Sequence, residues 1–188
     1  MRSLLLLLLC SVAHADVRLD AHVGGGLEGG LIQGKARPDR VGEVGAGVAY
    51  FGPAKRWGLG LVLERVERPE ADLPIGAEYK LDALVRFTNR DNSFVGGAGA
   101  GIRKLTVAGD EQRRGSTLWG VDLLRMNLEL RLARVGPVSV ELYFAWTFGL
   151  YVGEVYGQRY GDMAYPVRDY QTIASSYVLG LQTSFDTK

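Results

Sequence analysis

The residues that could do chemistry in this chain are mainly charged side chains that recur at alternate positions. His22 is the only histidine after residue 15, and no serine lies two positions from it. A serine nucleophile normally needs such a base as its partner. Glu129 and Glu141 could exchange protons as a carboxylate pair, but Arg125 and Arg131 are nearby counter-ions. We therefore expect no catalytic residue, no cofactor and no metal ion, and we assign the charged residues to a polar network.

A glycine-rich stretch, 24–29, formally fits the dinucleotide-binding pattern G-x-G-x-x-G. That pattern needs a strand before it and a helix after it. The stretch is too rich in glycine to begin a helix, and strand-like sequence follows. We interpret it as part of a first strand that passes close to crowded side chains.

The N-terminus has the three parts of a secretory signal peptide. Arg2 is followed by an apolar run that includes 4–9, and Ala13-His14-Ala15 fits the A-x-A cleavage pattern. Residues 1–15 are therefore predicted to be removed by signal peptidase, which leaves 16–188 as one mature domain exported through the general secretory pathway. The mature part has no cysteine and equal numbers of acidic and basic residues, 21 of each. Such a balance gives no reason to expect a nucleic-acid partner.

Apolar and polar residues alternate along most of the mature chain, which predicts strands rather than helices. The segment 138–150 is the clearest example, because its odd and even positions separate fully. One face holds Ser139, Glu141, Tyr143, Ala145, Thr147 and Gly149, and the other holds Val138, Val140, Leu142, Phe144, Trp146, Phe148 and Leu150. Seven further segments repeat this pattern: 17–23, 43–50, 57–64, 79–87, 94–105, 118–132 and 177–185.

One of these segments, 118–132, is also compatible with a helix. The spacing of Leu118, Val121, Leu128 and Leu132 fits one helical face as well as a strand. A continuous strand would moreover place Asp122 on the apolar face. A β-bulge, or a start of the strand near the membrane surface, would remove that conflict.

The connections between the predicted strands alternate between short and long. The short ones are 52–56, 88–93 and 133–137, and the longer ones are 33–40, 66–78, 108–117 and 153–172. Short turns at one end and long loops at the other are typical of transmembrane β-barrels. The sequence therefore predicts an all-β, eight-stranded antiparallel up-and-down transmembrane β-barrel.

The two faces of the strands indicate the environment of this barrel. One face is almost purely apolar, whereas the other carries thirteen ionisable residues that we assign to a charge-paired network filling the lumen. These residues are Arg18, Asp20, His22, Glu43, Glu64, Lys80, Asp82, Arg86, Arg103, Arg125, Glu129, Arg131 and Glu141. A soluble lipid-binding barrel, with the apolar face inside, is the alternative arrangement.

Aromatic residues are expected to form a girdle at the membrane interfaces. Those at the short-turn ends of the strands are Tyr50, Trp57, Phe87, Phe94 and Phe185. Tyr79 and Tyr151 lie near the opposite ends. Their placement agrees with strands that cross a bilayer.

The C-terminal segment resembles the assembly signal of bacterial outer-membrane proteins. In 177–185 the residues Tyr177, Leu179, Leu181 and Phe185 alternate with other residues, and Phe185 ends the pattern, although three residues follow it. The mature chain as a whole is similar in architecture to the small eight-stranded barrels of the outer-membrane protein A type. The resemblance implies a location in a Gram-negative outer membrane and assembly by the barrel assembly machinery.

The sequence leaves several functions open. We expect a monomeric, non-enzymatic membrane protein with a largely plugged lumen, in contact with outer-membrane lipid and lipopolysaccharide. Its longest predicted loop has a possible binding surface formed by Tyr156, Arg159, Tyr160, Tyr165 and Tyr170, and another loop carries Arg113 and Arg114. The alternatives are a narrow porin-like channel and, with less support, a lipid-modifying barrel enzyme.

Overall fold

The computed structural model describes residues 16–32, 35–52, 56–68, 75–107, 116–160 and 163–187. In this part of the chain the side chains of 30–39, 75–76, 107, 116 and 152–172 are not described. Eight strands form the structure: β1 (Asp16–Ile32), β2 (Lys35–Phe51), β3 (Trp57–Glu67), β4 (Ile75–Thr88), β5 (Phe94–Val107), β6 (Ser116–Val135), β7 (Val138–Tyr160) and β8 (Met163–Asp186). Among the described residues, no helix is long and apolar enough to cross a membrane.

The strands form one closed antiparallel barrel in sequence order. Each strand pairs with the next one, and β1 closes the barrel by pairing with β8, so that Leu19 lies opposite Phe185. Closure leaves no strand with an unpaired edge. The protein therefore has the all-β, eight-stranded antiparallel architecture that the alternation predicts.

Charged side chains fill the inside of the barrel, and apolar side chains cover its outside. In β3, Leu59, Leu61 and Leu63 are exposed, whereas Val62 and Glu64 are buried. Alternate residues of a strand point to opposite faces, so this order continues around the barrel. The arrangement is the inverse of a soluble barrel.

Three short connections, 52–56, 89–93 and 136–137, join strands at what we call the short-turn end. The turn between β6 and β7 consists of only two residues, and Gly136 there has a φ of 61°, a conformation that glycine adopts without strain. The predicted connection 133–137 is therefore shorter than expected, because 133–135 continue β6. The turn between β4 and β5 is closed by hydrogen bonds from the side chains of Thr88 and Asn89.

The strands at the opposite end, which we call the extended end, are longer than the sequence predicts. Most of the predicted loop 33–40 belongs to β2, and most of the predicted loop 153–172 belongs to β7 and β8. The long loops predicted at 33–40 and 153–172 were therefore wrong. The connections predicted at 66–78 and 108–117 keep part of their length, because β4 begins at Ile75 and β6 begins at Ser116. The glycine-rich stretch 24–29 lies within β1, as the sequence indicates.

The ambiguous segment 118–132 is a strand, and a β-bulge explains its irregular pattern. The register of β6 against β7 shifts between Asp122 and Leu124, so that Leu123 and Leu124 both face outward. Asp122 thereby points into the barrel and is 1% exposed. A second shift follows Arg131, near the short-turn end.

Candidate functional site

The interior of the barrel is the candidate site, because most of the predicted lumen residues meet there. Twelve of those thirteen are at most 7% exposed. Four ionisable residues outside the predicted set join them: Glu28, Arg68, Glu78 and Asp122. Their ion pairs form three clusters along the barrel axis.

The short-turn cluster lies nearest the tight turns and contains Arg18, Asp20, Arg86, Glu129 and Glu141. An Nη2–Oε2 distance of 2.9 Å joins Arg18 to Glu129, and Arg18 also pairs with Glu141. Arg86 pairs with Glu129 and, at 2.7 Å, with Asp20. Three neutral side chains donate to these carboxylates: Asn127, Gln182 and Ser184. The cluster thus links β1, β4, β6 and β7 across the lumen.

The central cluster is organised around Arg125, which has 0% exposure. Arg125 pairs with both carboxylate oxygens of Glu64 and lies 3.1 Å from Asp82 Oδ2. Its guanidinium also donates to the Tyr143 hydroxyl, which in turn donates to Glu64 Oε1 at 3.2 Å. Two hydrogen bonds in a fork are the geometry that an arginine–carboxylate pair favours. Arg125 therefore joins β3, β4, β6 and β7.

His22 and two further charged residues complete the central cluster. The Nε2 atom of His22 is 3.1 Å from Glu64 Oε1 and 3.4 Å from Glu43 Oε1. Its ring stacks on Tyr143 with a centroid distance of 4.3 Å. Lys80 Nζ lies 3.8 Å from Glu43 Oε2.

The extended-end cluster consists of Glu28, Arg68, Glu78, Arg103, Asp122 and Tyr151. Arg68 pairs with the two glutamates of this group. Arg103 pairs with Asp122 and donates to the Tyr151 hydroxyl at 2.9 Å. That hydroxyl donates to Glu78, so the two arginines share one continuous network. Tyr151 was expected among the interfacial aromatic residues, but it lies inside the barrel.

Acidic groups outnumber basic groups among the buried side chains that the structure describes. Six are cationic, namely Arg18, Arg68, Lys80, Arg86, Arg103 and Arg125. Nine are carboxylates, namely Asp20, Glu28, Glu43, Glu64, Glu78, Asp82, Asp122, Glu129 and Glu141. Each cluster contains two of the cations and three of the carboxylates. The sequence suggested an even balance, whereas the described interior has a formal charge of −3 before His22 is considered.

Arg131 is the predicted lumen residue that the structure places elsewhere. It lies at the short-turn rim and is only partly buried, and its Nη1 atom donates to the backbone oxygen of Asp91 at 2.7 Å. Arg131 keeps the inward register, because it pairs with Glu141, and the register shift begins directly after it. In the described part of the chain its side chain contacts the turn rather than a lumen carboxylate, so the structure does not include Arg131 in the ion pairs of the lumen.

Sequence patterns could have identified some of the missed residues. Glu78 stands two positions before Lys80, in the same alternation, but 66–78 was assigned to a loop. The same assignment hid Arg68. Glu28 was overlooked because glycines stand two positions before and after it, at 26 and 30, so that no polar alternation is visible there. Asp122 faces inward only because of the bulge.

The predicted loop-binding residues lie in a strand hairpin rather than in a loop. Tyr156, Arg159 and Tyr160 belong to β7, and Tyr165 and Tyr170 belong to β8. Gly153 pairs with Tyr170, and Tyr156 pairs with Pro166. Their side chains lie outside the described part, as do residues 1–15, Arg113 and Arg114. No contact is therefore assigned to any of these residues.

The residues of the predicted assembly signal face outward on β8. Tyr177, Leu179, Leu181 and Phe185 are between 42% and 56% exposed. Tyr177 also stacks on Trp146 of the neighbouring strand, at a centroid distance of 6.3 Å. Near the short-turn end, Trp57, Phe87 and Phe94 form a further aromatic row, with centroid distances of 5.7 and 5.9 Å.

Eight antiparallel strands in sequence order, an apolar exterior and a charged interior decide which known barrels this protein resembles. It resembles the small eight-stranded outer-membrane barrels. Outer membrane protein OprG from Pseudomonas aeruginosa is 12% identical, with a TM-score of 0.51 over 92% of this chain and 96% of that one. Outer membrane protein AlkL is also 12% identical, with a TM-score of 0.50 over 93% of this chain and 91% of that one. No protein-family model and no curated protein matches the sequence. Identities this low establish the fold alone.

Proposed function

We propose that this protein is a non-enzymatic β-barrel of the Gram-negative outer membrane, with a lumen closed by ion pairs. The observation that carries the proposal is the inverted arrangement of its two faces. Leu61, Leu128 and Leu181 are typical outward residues, with exposures between 36% and 52%, while arginines and carboxylates are buried inside. Large exposed apolar surfaces are unfavourable in water and favourable in lipid.

The size of the apolar belt fits a bilayer. In β3 the outward residues from Trp57 to Leu63 are apolar, and Arg65 is the first outward charge. The eight residue steps from Trp57 to Arg65, at about 3.3 Å each and tilted by about 40°, span about 20 Å along the barrel axis. The outward face of a transmembrane barrel is apolar over about 25 Å. The short-turn end is then periplasmic, and the extended end faces the exterior.

The closed lumen supports a structural or interaction role. All three clusters lie across the interior, so that charged side chains from several strands block the axis at three levels. Where the interior opens at the short-turn mouth, the cavity lined by Arg18, Thr88, Asn92 and other residues measures about 20 Å³. That volume holds about one water molecule.

The surroundings of His22 support the absence of enzymatic activity. Within the described part of the chain, its close polar neighbours are carboxylates, and Tyr143 covers its ring. No serine hydroxyl of this part is bonded to it. We expect the protein to leave phospholipids and lipid A unchanged, which mass spectrometry of the lipids after incubation in vesicles would test.

Single-cysteine labelling tests the membrane location, because the mature chain has no cysteine of its own. We expect Leu61→Cys to resist a water-soluble maleimide when the folded barrel is in lipid vesicles. The matched variant Arg134→Cys, near the exposed turn after β6, should react under the same conditions. Equal labelling of the two variants in folded, vesicle-bound protein would contradict the proposal.

The second candidate function is a narrow cation-selective channel. The excess of carboxylates over cationic side chains among the described buried residues favours it. A channel would need the ion pairs to open or to be bridged by water. Conductance measurements distinguish the two candidates, since a closed barrel gives no steady current.

The N-terminal apolar segment and the last strand support a proposal for how the protein is exported and assembled. We propose that residues 1–15 are removed during general secretion, and that the outward face of β8 is recognised by the barrel assembly machinery. Mass spectrometry of the protein from outer membranes should then give Asp16 as the first residue. Phe185→Ala should lower the amount of assembled barrel in cells while Thr183→Ala, on the same face, lowers it less.

Outer-leaflet lipid, including lipopolysaccharide, is the proposed partner at the extended end. Arg65, Tyr79, Lys104 and Trp119 lie side by side on neighbouring strands and face outward. Lys104 Nζ also lies 5.5 Å from the centre of the Trp119 ring. Cationic side chains and aromatic rings at the same height along the barrel axis suit a phosphorylated headgroup.

Replacing both Arg65 and Lys104 by glutamine should reduce the amount of lipopolysaccharide retained during purification. Arg134→Gln, at the short-turn end, should not reduce it.

A further inference from the structure

Three potential metal ligands from adjacent strands converge inside the barrel. One ligand atom each of His22 on β1, Glu43 on β2 and Glu64 on β3 lies within 4.8 Å of the other two. The His22 Nε2 atom is 3.1 Å from Glu64 Oε1 and 3.4 Å from Glu43 Oε1. Four-coordinate zinc with bonds of about 2.0–2.1 Å places its ligand atoms about 3.3 Å apart. The two distances from Nε2 therefore match those around one tetrahedral ion.

Two of the three candidate ligand atoms, His22 Nε2 and Glu43 Oε1, are not used by hydrogen bonds within the described part of the chain, whereas Glu64 Oε1 accepts from Arg125 and Tyr143. In that part, neither ring nitrogen of His22 has a hydrogen-bond partner of acceptable geometry. The same holds for Glu43 Oε1, and all three atoms are buried. Buried polar atoms are normally satisfied, and each exception needs an explanation. A shared ion would give a partner to His22 Nε2 and to Glu43 Oε1 at once.

We propose that His22, Glu43 and Glu64 bind one divalent transition-metal ion of the zinc type inside the lumen. The donor set of one imidazole and two carboxylates is among those that zinc uses. A water molecule takes the fourth position. This site goes beyond the proposed closed-barrel function and does not depend on whether the lumen conducts.

The backbone makes room for this convergence at Gly45. That residue lies between His22 and Glu64 in the paired strands. A Cβ atom there would lie 2.5 Å from His22 Cε1 and 2.8 Å from Glu64 Cγ, closer than real contacts allow. Glycine at this position is therefore what lets the imidazole and the carboxylate meet across β2.

The charges around the site also favour a bound cation. The central cluster has three carboxylates and two cationic side chains, and the described interior as a whole has a formal charge of −3. A divalent ion reduces that excess to −1. Buried charge without compensation is costly, so the ion offsets an unfavourable term.

Neighbouring groups hold the ligands in place. The Tyr143 ring stacks on His22, and Lys80 lies 3.8 Å from Glu43 Oε2, the oxygen that the ion does not use. Arg125 donates to both oxygens of Glu64, and the Tyr143 hydroxyl donates to Oε1. Binding of the ion at Oε1 therefore replaces the bonds to that oxygen and leaves the bond from Arg125 to Oε2. Such outer partners fix ligand orientation and raise affinity.

The test measures metal in the folded barrel itself. The mature chain is refolded in detergent with Zn²⁺ and, separately, with Co²⁺, so that the ion can enter before the lumen closes, and unbound metal is then removed. We expect one Zn²⁺ per folded chain by elemental analysis, and a visible Co²⁺ spectrum typical of tetrahedral coordination. Heat-modifiable gel mobility establishes that each sample has folded.

Two ligand variants and one matched control make the test specific. His22→Phe keeps an aromatic ring against Tyr143 without a ligand atom, and Glu43→Gln removes one carboxylate. Each should weaken Zn²⁺ binding by at least about tenfold, since loss of outer partners alone costs 10–100-fold. Glu28→Gln removes a carboxylate from the extended-end cluster and should leave binding unchanged. Folded wild-type protein without stoichiometric metal, or equal binding by all variants, would overturn the proposal.

Discussion

At the residue level, the stability of this barrel depends most on the side chains that form buried ion pairs. A charged side chain in a low-dielectric interior is costly by itself and acceptable when paired. Arg125 illustrates this point, because it contacts Glu64, Asp82 and Tyr143 and has no exposure to solvent. Removing one partner of such a network leaves the others uncompensated. The interior is therefore sensitive to single substitutions.

Arg125 and Arg131 form a matched pair for testing this dependence. Arg125→Met should lower the free energy of unfolding by about 3–5 kcal/mol, the usual cost of breaking a buried pair. Arg131→Met should cost less than about 1 kcal/mol, because that side chain lies at the rim. Urea unfolding of the refolded barrel, followed by tryptophan fluorescence, measures both. Similar losses for the two variants would contradict the assignment of Arg131 to the rim.

Alternation along the sequence was sufficient to find most interior residues, since a strand assigns every second side chain to one face. It was insufficient where the pattern is interrupted. Asp122 could not be placed without knowing the bulge, and Arg68 fell in a segment assigned to a loop. The convergence of His22, Glu43 and Glu64 could not be predicted either, because it depends on the pairing register and on the lack of a side chain at Gly45.

Among the secondary-structure elements, β6 has a bulge whose register can be tested by single-residue deletions. Removing Leu123 should give a folded barrel, because Asp122 and Arg125 both stay inward when the extra residue is lost. Removing Met126 should prevent folding or strongly destabilise it, because Arg125 is then turned toward lipid. Heat-modifiable mobility after refolding compares the two deletions. A folded Met126 deletion together with an unfolded Leu123 deletion would contradict the register.

The turn between β4 and β5 has its own dependence on pH. The hydroxyl and backbone amide of Ser93 donate to Asp91 Oδ1 at 3.0 and 3.3 Å, and these bonds lower the pKa of Asp91 below its ordinary value of 3.8. The stabilisation is therefore complete above that ordinary value and is lost as the pH falls through the lowered pKa. An NMR titration of the Asp91 carboxyl should show this lowered pKa, and Ser93→Ala should return it toward 3.8. A wild-type pKa at or above the ordinary value would refute the role of Ser93.

Strand boundaries at the extended end were the least predictable elements. Tyrosines and charges in 153–172 are typical of loops, yet β7 and β8 continue through most of this segment. Backbone pairing with a neighbouring strand can extend beyond the region where side-chain alternation is clear. Two antiparallel strands can be joined by a very short connection. The hairpin of β7 and β8 can therefore extend through this segment although its side chains do not alternate between apolar and polar.

At the scale of the whole molecule, one closed strand barrel combines an apolar exterior with an interior in which the described carboxylates outnumber the described cationic side chains. Closure satisfies the backbone of every strand, and the ion pairs tie strands together that are not neighbours in the barrel. Arg86, for example, reaches from β4 to Asp20 on β1 and to Glu129 on β6. We therefore expect a stable membrane barrel that does not conduct.

Conductance of the refolded mature protein in planar bilayers decides whether the lumen is closed. Heat-modifiable gel mobility of the same sample must first show that the barrel has formed. We expect a folded barrel without steady openings in symmetric salt. Steady, reproducible openings by folded protein would contradict the closed lumen and favour a small cation-selective pore.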